Sequence, residues 1–267
     1  MSLLARLFAL RENSDESKPF LQHLDELRAM LMRSVAVLFC FMVASFAFRK
    51  TLVQVLQQPL RDIDPDLPDK LITLSALDSI TISFSLAFYA GLALSLPFIL
   101  FFLLQFILPA LKRQEKKVIF PALAAGTVLF LAGVSFCYFV IWPQALQFLF
   151  NDTHSMGWNT AWTARDYMTL TPKIMVGFGL AFELPVVVIV LAYLRILNFE
   201  LLNRTRRYAI VLILFIAILI APTPDPITFL SLGIPMCLLY EGCIWIVWLM
   251  EKRRKEREQA DASDVVQ

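Results

Sequence analysis

Apolar runs long enough to cross a lipid bilayer recur along this chain, and no other feature constrains its fold as strongly. A helix needs about 20 apolar residues to span a hydrocarbon core about 30 Å thick. Six stretches match or approach that length: residues 30–48, 79–108, 118–140, 168–194, 208–221 and 227–250. In lipid every backbone N–H and C=O must find a partner within the chain, so continuous apolar runs are read as helices. The composition agrees, at 58% hydrophobic and 17% charged with mean hydropathy +0.68. A soluble domain is about half apolar and about a quarter charged.

The expected fold is therefore an all-α membrane protein, a bundle of six transmembrane helices forming one domain over residues 1–250. Residues 251–267, rich in charge, are expected to form a disordered cytoplasmic tail. The fifth and sixth helices are expected to be short. Residues 208–221 make about 21 Å of helix at 1.5 Å per residue, so the bilayer should thin beside them.

Lysine and arginine set the orientation, because they concentrate in cytoplasmic loops. Seventeen fall on one side: Arg6, Arg11, Lys18 and Arg28; Lys112, Arg113, Lys116 and Lys117; Arg195, Arg204, Arg206 and Arg207; Lys252, Arg253, Arg254, Lys255 and Arg257. Six fall on the other: Arg49, Lys50, Arg61, Lys70, Arg165 and Lys173. Arg33 lies inside the first span. Both termini are expected in the cytoplasm. The outward segments 49–78 and 141–167 carry a run of aspartates and three tryptophans, Trp142, Trp158 and Trp162, suited to the membrane interface.

Enzymatic chemistry finds no foothold in the pattern. Cys40, Cys137, Cys237 and Cys243 all sit in apolar runs without metal or disulfide spacing. Neither histidine belongs to a catalytic motif, and no HExxH, GxSxG, phosphate loop or GxGxxG occurs. A net charge of +2 gives no basis for nucleic-acid binding. No metal, cofactor or catalytic residue is expected.

The chain does place acids where they are costly or isolated. Glu115 is the sole acid among Lys112, Arg113, Lys116 and Lys117, which favour its ionised form. Glu26 stands beside Arg28 near the start of the first helix. Leu21, Leu24, Leu27 and Leu31 follow helical spacing, so that face is expected to pack while Asp25 and Glu26 sit off it. Glu183 is the single acid in the middle of the fourth span, where a charge costs roughly 2.5–3.5 kcal/mol. Pro185, two residues on, removes the helix donor for the Ala181 carbonyl and should kink the helix there. Pro224 and Asp225 are expected to stiffen the turn before the last span. Glu241, just before Trp245 and Trp248, is expected near the inner interface, solvated or paired.

Four motifs in register carry a resemblance. His23-Leu24-Asp25-Glu26-Leu27-Arg28 is similar to the HLxELR signature that opens the TatC family, the membrane-embedded C subunits of the twin-arginine protein translocase. Phe106 through Lys117 resembles that family's first cytoplasmic loop. Gly177-Phe178-Gly179-Leu180-Ala181-Phe182-Glu183-Leu184-Pro185 looks like its FGxxFExP motif, and Thr223-Pro224-Asp225-Pro226 its TPxPD turn. The similarity runs in order from about residue 20 to 250. Phe229 departs from it, standing where many relatives have a polar glutamine.

The resemblance implies a receptor for export signals with two adjacent arginines, in the inner membrane of a bacterial cell. It implies a homo-oligomer inside a hetero-complex with single-span TatA-like and TatB-like subunits, exporting folded proteins on the proton-motive force. It assigns signal-peptide binding to Glu26 and Glu115, supported by His23, Leu27, Arg28 and Phe106, and makes Glu183 an intramembrane polar docking point. The chemistry suits the first two, since a guanidinium offers a planar fork that a carboxylate accepts in bidentate fashion. The competing reading is a small-solute or ion transporter with Glu183 as its proton site.

Overall fold

The computed structural model describes residues 20–107, 119–157, 162–220 and 226–266. Among them the secondary structure is helical, apart from one isolated β-bridge. The helices are α1 (Phe20–Ala47), α2 (Arg49–Arg61), α3 (Asp78–Ile107), α4 (Ile119–Phe136), α5 (Trp142–Ser155), α6 (Ala164–Phe182), α7 (Leu184–Tyr193), α8 (Phe199–Ile220) and α9 (Pro226–Val266). A 3₁₀ turn, Leu67–Lys70, follows α2, and a π-helical turn, Cys137–Ile141, joins α4 to α5.

Among the described residues five helical stretches are long and apolar enough to cross a membrane: Leu24–Ala47, Asp78–Phe106, Phe120–Ser155, Ala164–Tyr193 and Gly233–Glu256. Helix α8 is 22 residues long, but its first turns carry Glu200, Arg204, Arg206 and Arg207, which leaves a short apolar part. The last helix differs from expectation. It is neither short nor followed by a disordered tail, running 41 residues from Pro226 to Val266. The charged stretch after Met250 is rich in Lys, Arg, Glu, Gln and Ala, all strong helix formers, so nothing stops the helix there.

Segments 49–78 and 141–167 also hold more structure than loops. The sequence 49–61 forms an amphipathic helix, α2, which buries Leu56, Pro59 and Leu60. The third span continues past residue 140 into α5. Pro143 cannot donate to the carbonyl four residues back, and the chain absorbs this by widening into the π turn, where the Trp142 N–H reaches Cys137 O.

Helix α1 packs chiefly along α3, antiparallel to it. Phe46 meets Phe84 and Phe41 meets Phe98 at ring distances of 5.5 and 5.4 Å. Gly91 lets the two backbones close, since a Cβ there would lie 2.8 Å from the Met42 Cα. Small residues drive such approaches in lipid, where apolar burial gives little preference for protein over acyl chain.

Two apolar cores organise the remainder. One joins Leu56, Leu60, Leu67, Trp142, Leu146, Tyr167, Ile174 and Phe178 beneath α2. The other joins Ala181, Val188, Leu202, Ile213, Met236, Tyr240, Cys243 and Val247 from α6 to α9. The first lies under a cap made from segments 49–78 and 141–167. Ile72 and Thr163 form the bridge, with the Ile72 N–H donating to Trp162 O at 3.1 Å and the Ala164 N–H to Ile72 O at 2.8 Å. Arg165 pairs with the buried Asp78 at 3.5 Å. The Tyr167 hydroxyl donates to Leu56 O at 2.6 Å, and that of Tyr138 to Val55 O at 2.8 Å.

Candidate functional site

The first helix turns a different face inward from the one its leucines suggest. Leu24, Leu27 and Leu31 are exposed. The less exposed positions are Glu26, Met30, Ser34, Val37, Phe41 and Ser45, which recur at helical spacing. Glu26 therefore lies on the side of α1 that α3 covers, whereas Asp25, Leu27 and Arg28 are exposed. The reason is physical: lipid solvates leucine as well as a protein core does, so apolarity does not mark the packed face, and small or polar residues do.

Because α1 and α3 run antiparallel, Glu26 and the partly buried Phe106 stand at the same end of the pair. The chain from α3 to α4 leaves from that end. Glu115 lies in it, outside the described residues, as do Pro224 and Asp225 in the turn before α9. His23 is within α1, but its side chain is outside the described set.

Glu183 occupies the break between α6 and α7. Its N–H bonds Leu180 O at 3.2 Å in a tightened turn, and Pro185 stands in the first turn of α7. The side chain is only 7% exposed. It lies against α4 where Gly126 leaves room: a Cβ on that glycine would sit 2.8 Å from Oε2 and 3.3 Å from Leu100 Cδ1. Oε1 is buried without a hydrogen-bond partner among the described residues. Further along the same crossing, a Cβ on Gly133 would lie 2.7 Å from Phe182 Cγ. The α4–α6 contact is thus built on glycines, and one of them opens onto a carboxyl group.

A second polar system ties α8 to α9. Asn198 Oδ1 accepts the Leu201 N–H and Glu251 Oε1 the Phe199 N–H, each at 2.8 Å, satisfying donors at the start of α8. Arg206 pairs with Glu241, and the Tyr240 hydroxyl donates to Leu202 O at 3.1 Å. Of the two alternatives the sequence leaves for Glu241, the paired one holds. Its partner on α8, and the capping role of Glu251, carry no local signal. Among the described residues no group of three or more His, Cys, Asp or Glu side chains is placed to hold a metal ion.

Comparison with known proteins adds an independent line. Residues 22–235 match the family described as Sec-independent protein translocase protein (TatC). The chain is 35% identical over 227 residues to the TatC of Deinococcus radiodurans, covering 84% of each chain. With the TatC of Aquifex aeolicus it is 33% identical over 243 residues, covering 91% of this chain and all of the relative. Against the longer TatC of Akkermansia muciniphila it is 39% identical over 184 residues, spanning about half of that protein (53%) and 69% of this one. A crystal structure described as the twin arginine translocase receptor TatC superposes with a TM-score of 0.77 at 33% identity, over 85% of this chain and 98% of that one.

Proposed function

The chain belongs to the TatC family of Sec-independent protein translocase proteins, and from that premise we propose that it is the signal receptor of a twin-arginine export system. It is a multi-pass membrane protein and a translocase component. In this reading Glu26 and Glu115 each accept one guanidinium of an export signal's Arg-Arg pair. Leu27, Arg28, His23 and Phe106 shape the surrounding rim.

One observation carries the proposal. Glu26 is turned toward α3 at the end of the α1–α3 pair from which the Glu115 segment departs. Two carboxylates from separate chain segments can converge there, as a two-pronged cation requires. The rim is the cytoplasmic one, on the lysine and arginine distribution. α8 then makes a sixth crossing through a locally thinned bilayer, with both termini in the cytoplasm of a bacterial inner membrane.

Glu183 serves a later step. A buried carboxyl at a helix break, with one oxygen unpartnered among the described residues, suits a polar transmembrane residue of a TatA-like or TatB-like subunit. Assembly is homo-oligomeric within the hetero-complex, and transport draws on the proton-motive force. The direct test is site-specific crosslinking from position 26 to a signal peptide carrying Arg-Arg or Lys-Lys. Crosslinking of the Arg-Arg peptide alone supports the receptor; equal crosslinking of both refutes it.

A further inference from the structure

The cap carries two leucines with no protein cover. Leu74 is 76% exposed and Leu77 is 66% exposed, in the short segment between the Ile72 bridge and the start of α3. The geometry points to this segment, residues 74–77, as a membrane-dipping loop that seats its leucines among the acyl chains of the leaflet beside the cap.

Two independent features carry the inference. The first is register. Leu77 continues a helical stripe with Ile80, Phe84 and Phe88, all exposed, on a helix long and apolar enough to span a membrane. The surface that α3 offers to lipid thus extends without interruption into the loop. The second is the backbone. Irregular chain is excluded from hydrocarbon when its N–H groups lack partners. Here the Leu74 and Ser75 N–H groups both donate to the buried Asp78 Oδ2, at 3.0 and 2.9 Å. The Leu77 N–H donates to Ser75 Oγ at 3.3 Å, and the Asp78 N–H to Ser75 O at 3.1 Å. Arg165 balances the Asp78 charge. Asp78 therefore does more than begin a helix: it ties down the Leu74 and Ser75 amides while the side chains of Leu74 and Leu77 stay outermost.

The occupant is lipid, and depth measurement tests it. Nitroxide labels are attached at positions 74 and 77 in full-length protein carrying Cys40→Ala, reconstituted in phosphatidylethanolamine–phosphatidylglycerol vesicles. Labels at position 66, in the aspartate-rich turn, and at position 84, on the α3 stripe, serve as references. The ratio of oxygen to nickel-chelate accessibility at 74 and 77 should be several-fold above that at 66 and close to that at 84. A ratio equal to that at 66 would place the leucines in water and overturn the proposal. Spin–spin broadening at 74 or 77 that vanishes on dilution with unlabelled protein would assign the patch to a second copy of the chain, and would overturn it equally.

Discussion

The hydroxyl of Tyr138 donates to the backbone carbonyl of Val55, 83 residues away, at 2.8 Å. That carbonyl is the one Pro59 deprives of its helical donor, since proline has no N–H to offer four residues back. A local defect in α2 is thus repaired from α4's continuation. Tyr138→Phe should destabilise the protein by about 0.5–1.5 kcal/mol. In a Pro59→Ala background, where removal of the ring restores the missing backbone N–H, the same change should cost less. A double-mutant cycle by denaturant unfolding in micelles measures the difference, and strictly additive effects would refute the pairing.

At the rim, Glu26→Ala should weaken binding of an Arg-Arg signal peptide by about 1.5–3 kcal/mol, the range for a hydrogen bond to a charged group. That is roughly a ten- to hundredfold rise in Kd. Glu115→Ala should behave alike, and both variants should accumulate normally in the membrane. Titration of labelled signal peptide against reconstituted protein reads the effect; unchanged affinity in both variants would remove the assignment.

Within the bundle, Gly126→Ala should cost about 1–3 kcal/mol by driving a methyl group into the Glu183 carboxyl. Glu183→Ala should relieve most of that cost in the double variant, as unfolding midpoints would record. Glu183→Ala alone should leave signal binding intact yet depress export of a folded reporter. Full export by that variant would show that the carboxyl has no part in transport.

Acid should loosen the cap at one identifiable point. The Asp66 backbone N–H, bonded to the Asp64 carboxylate at 3.0 Å, holds that carboxyl below its ordinary 3.8, and Lys70 at 3.3 Å works in the same direction. A depressed folded value means the contribution is complete above the unfolded value and fades as pH falls through the folded one. The stability gap between wild type and Asp64→Asn should therefore be present at neutral pH and close on acidification below the usual carboxylate range. A gap independent of pH would contradict the ionic origin.

Five of the spans were legible because hydropathy over about twenty residues is a bulk property that survives any packing arrangement. Glu183 with Pro185 was legible for a related reason, since a charge and a helix breaker in one apolar run mark themselves. Other features left no such trace. Leu24, Leu27 and Leu31 suggested a packed face because the rule for amphipathic helices assumes water outside, and here lipid reverses it. Helix α2 could have been found from the spacing of Leu52, Leu56 and Leu60, interrupted by Pro59 and followed directly by the aspartates from Asp62 on. The matches of Tyr167 to Leu56 and of Arg206 to Glu241 are long-range, and nothing local to either partner announces the other.

The cap is cross-tied between α2, α3, α4, α5 and α6, whereas α1 leans chiefly on α3. Mechanically this is a pair of tongs held at the pivot. Because α3 is itself held by α4 and α6, the moving arm is α1, which hinges at the tied end where it runs into α2, and its displacement grows with distance from there. Over a bilayer about 30 Å thick, a tilt of about 5° carries the far tip, with Glu26 on it, by roughly 3 Å. That is about the length of one hydrogen bond, so a slight swing of the arm is enough to make or break a grip at its end.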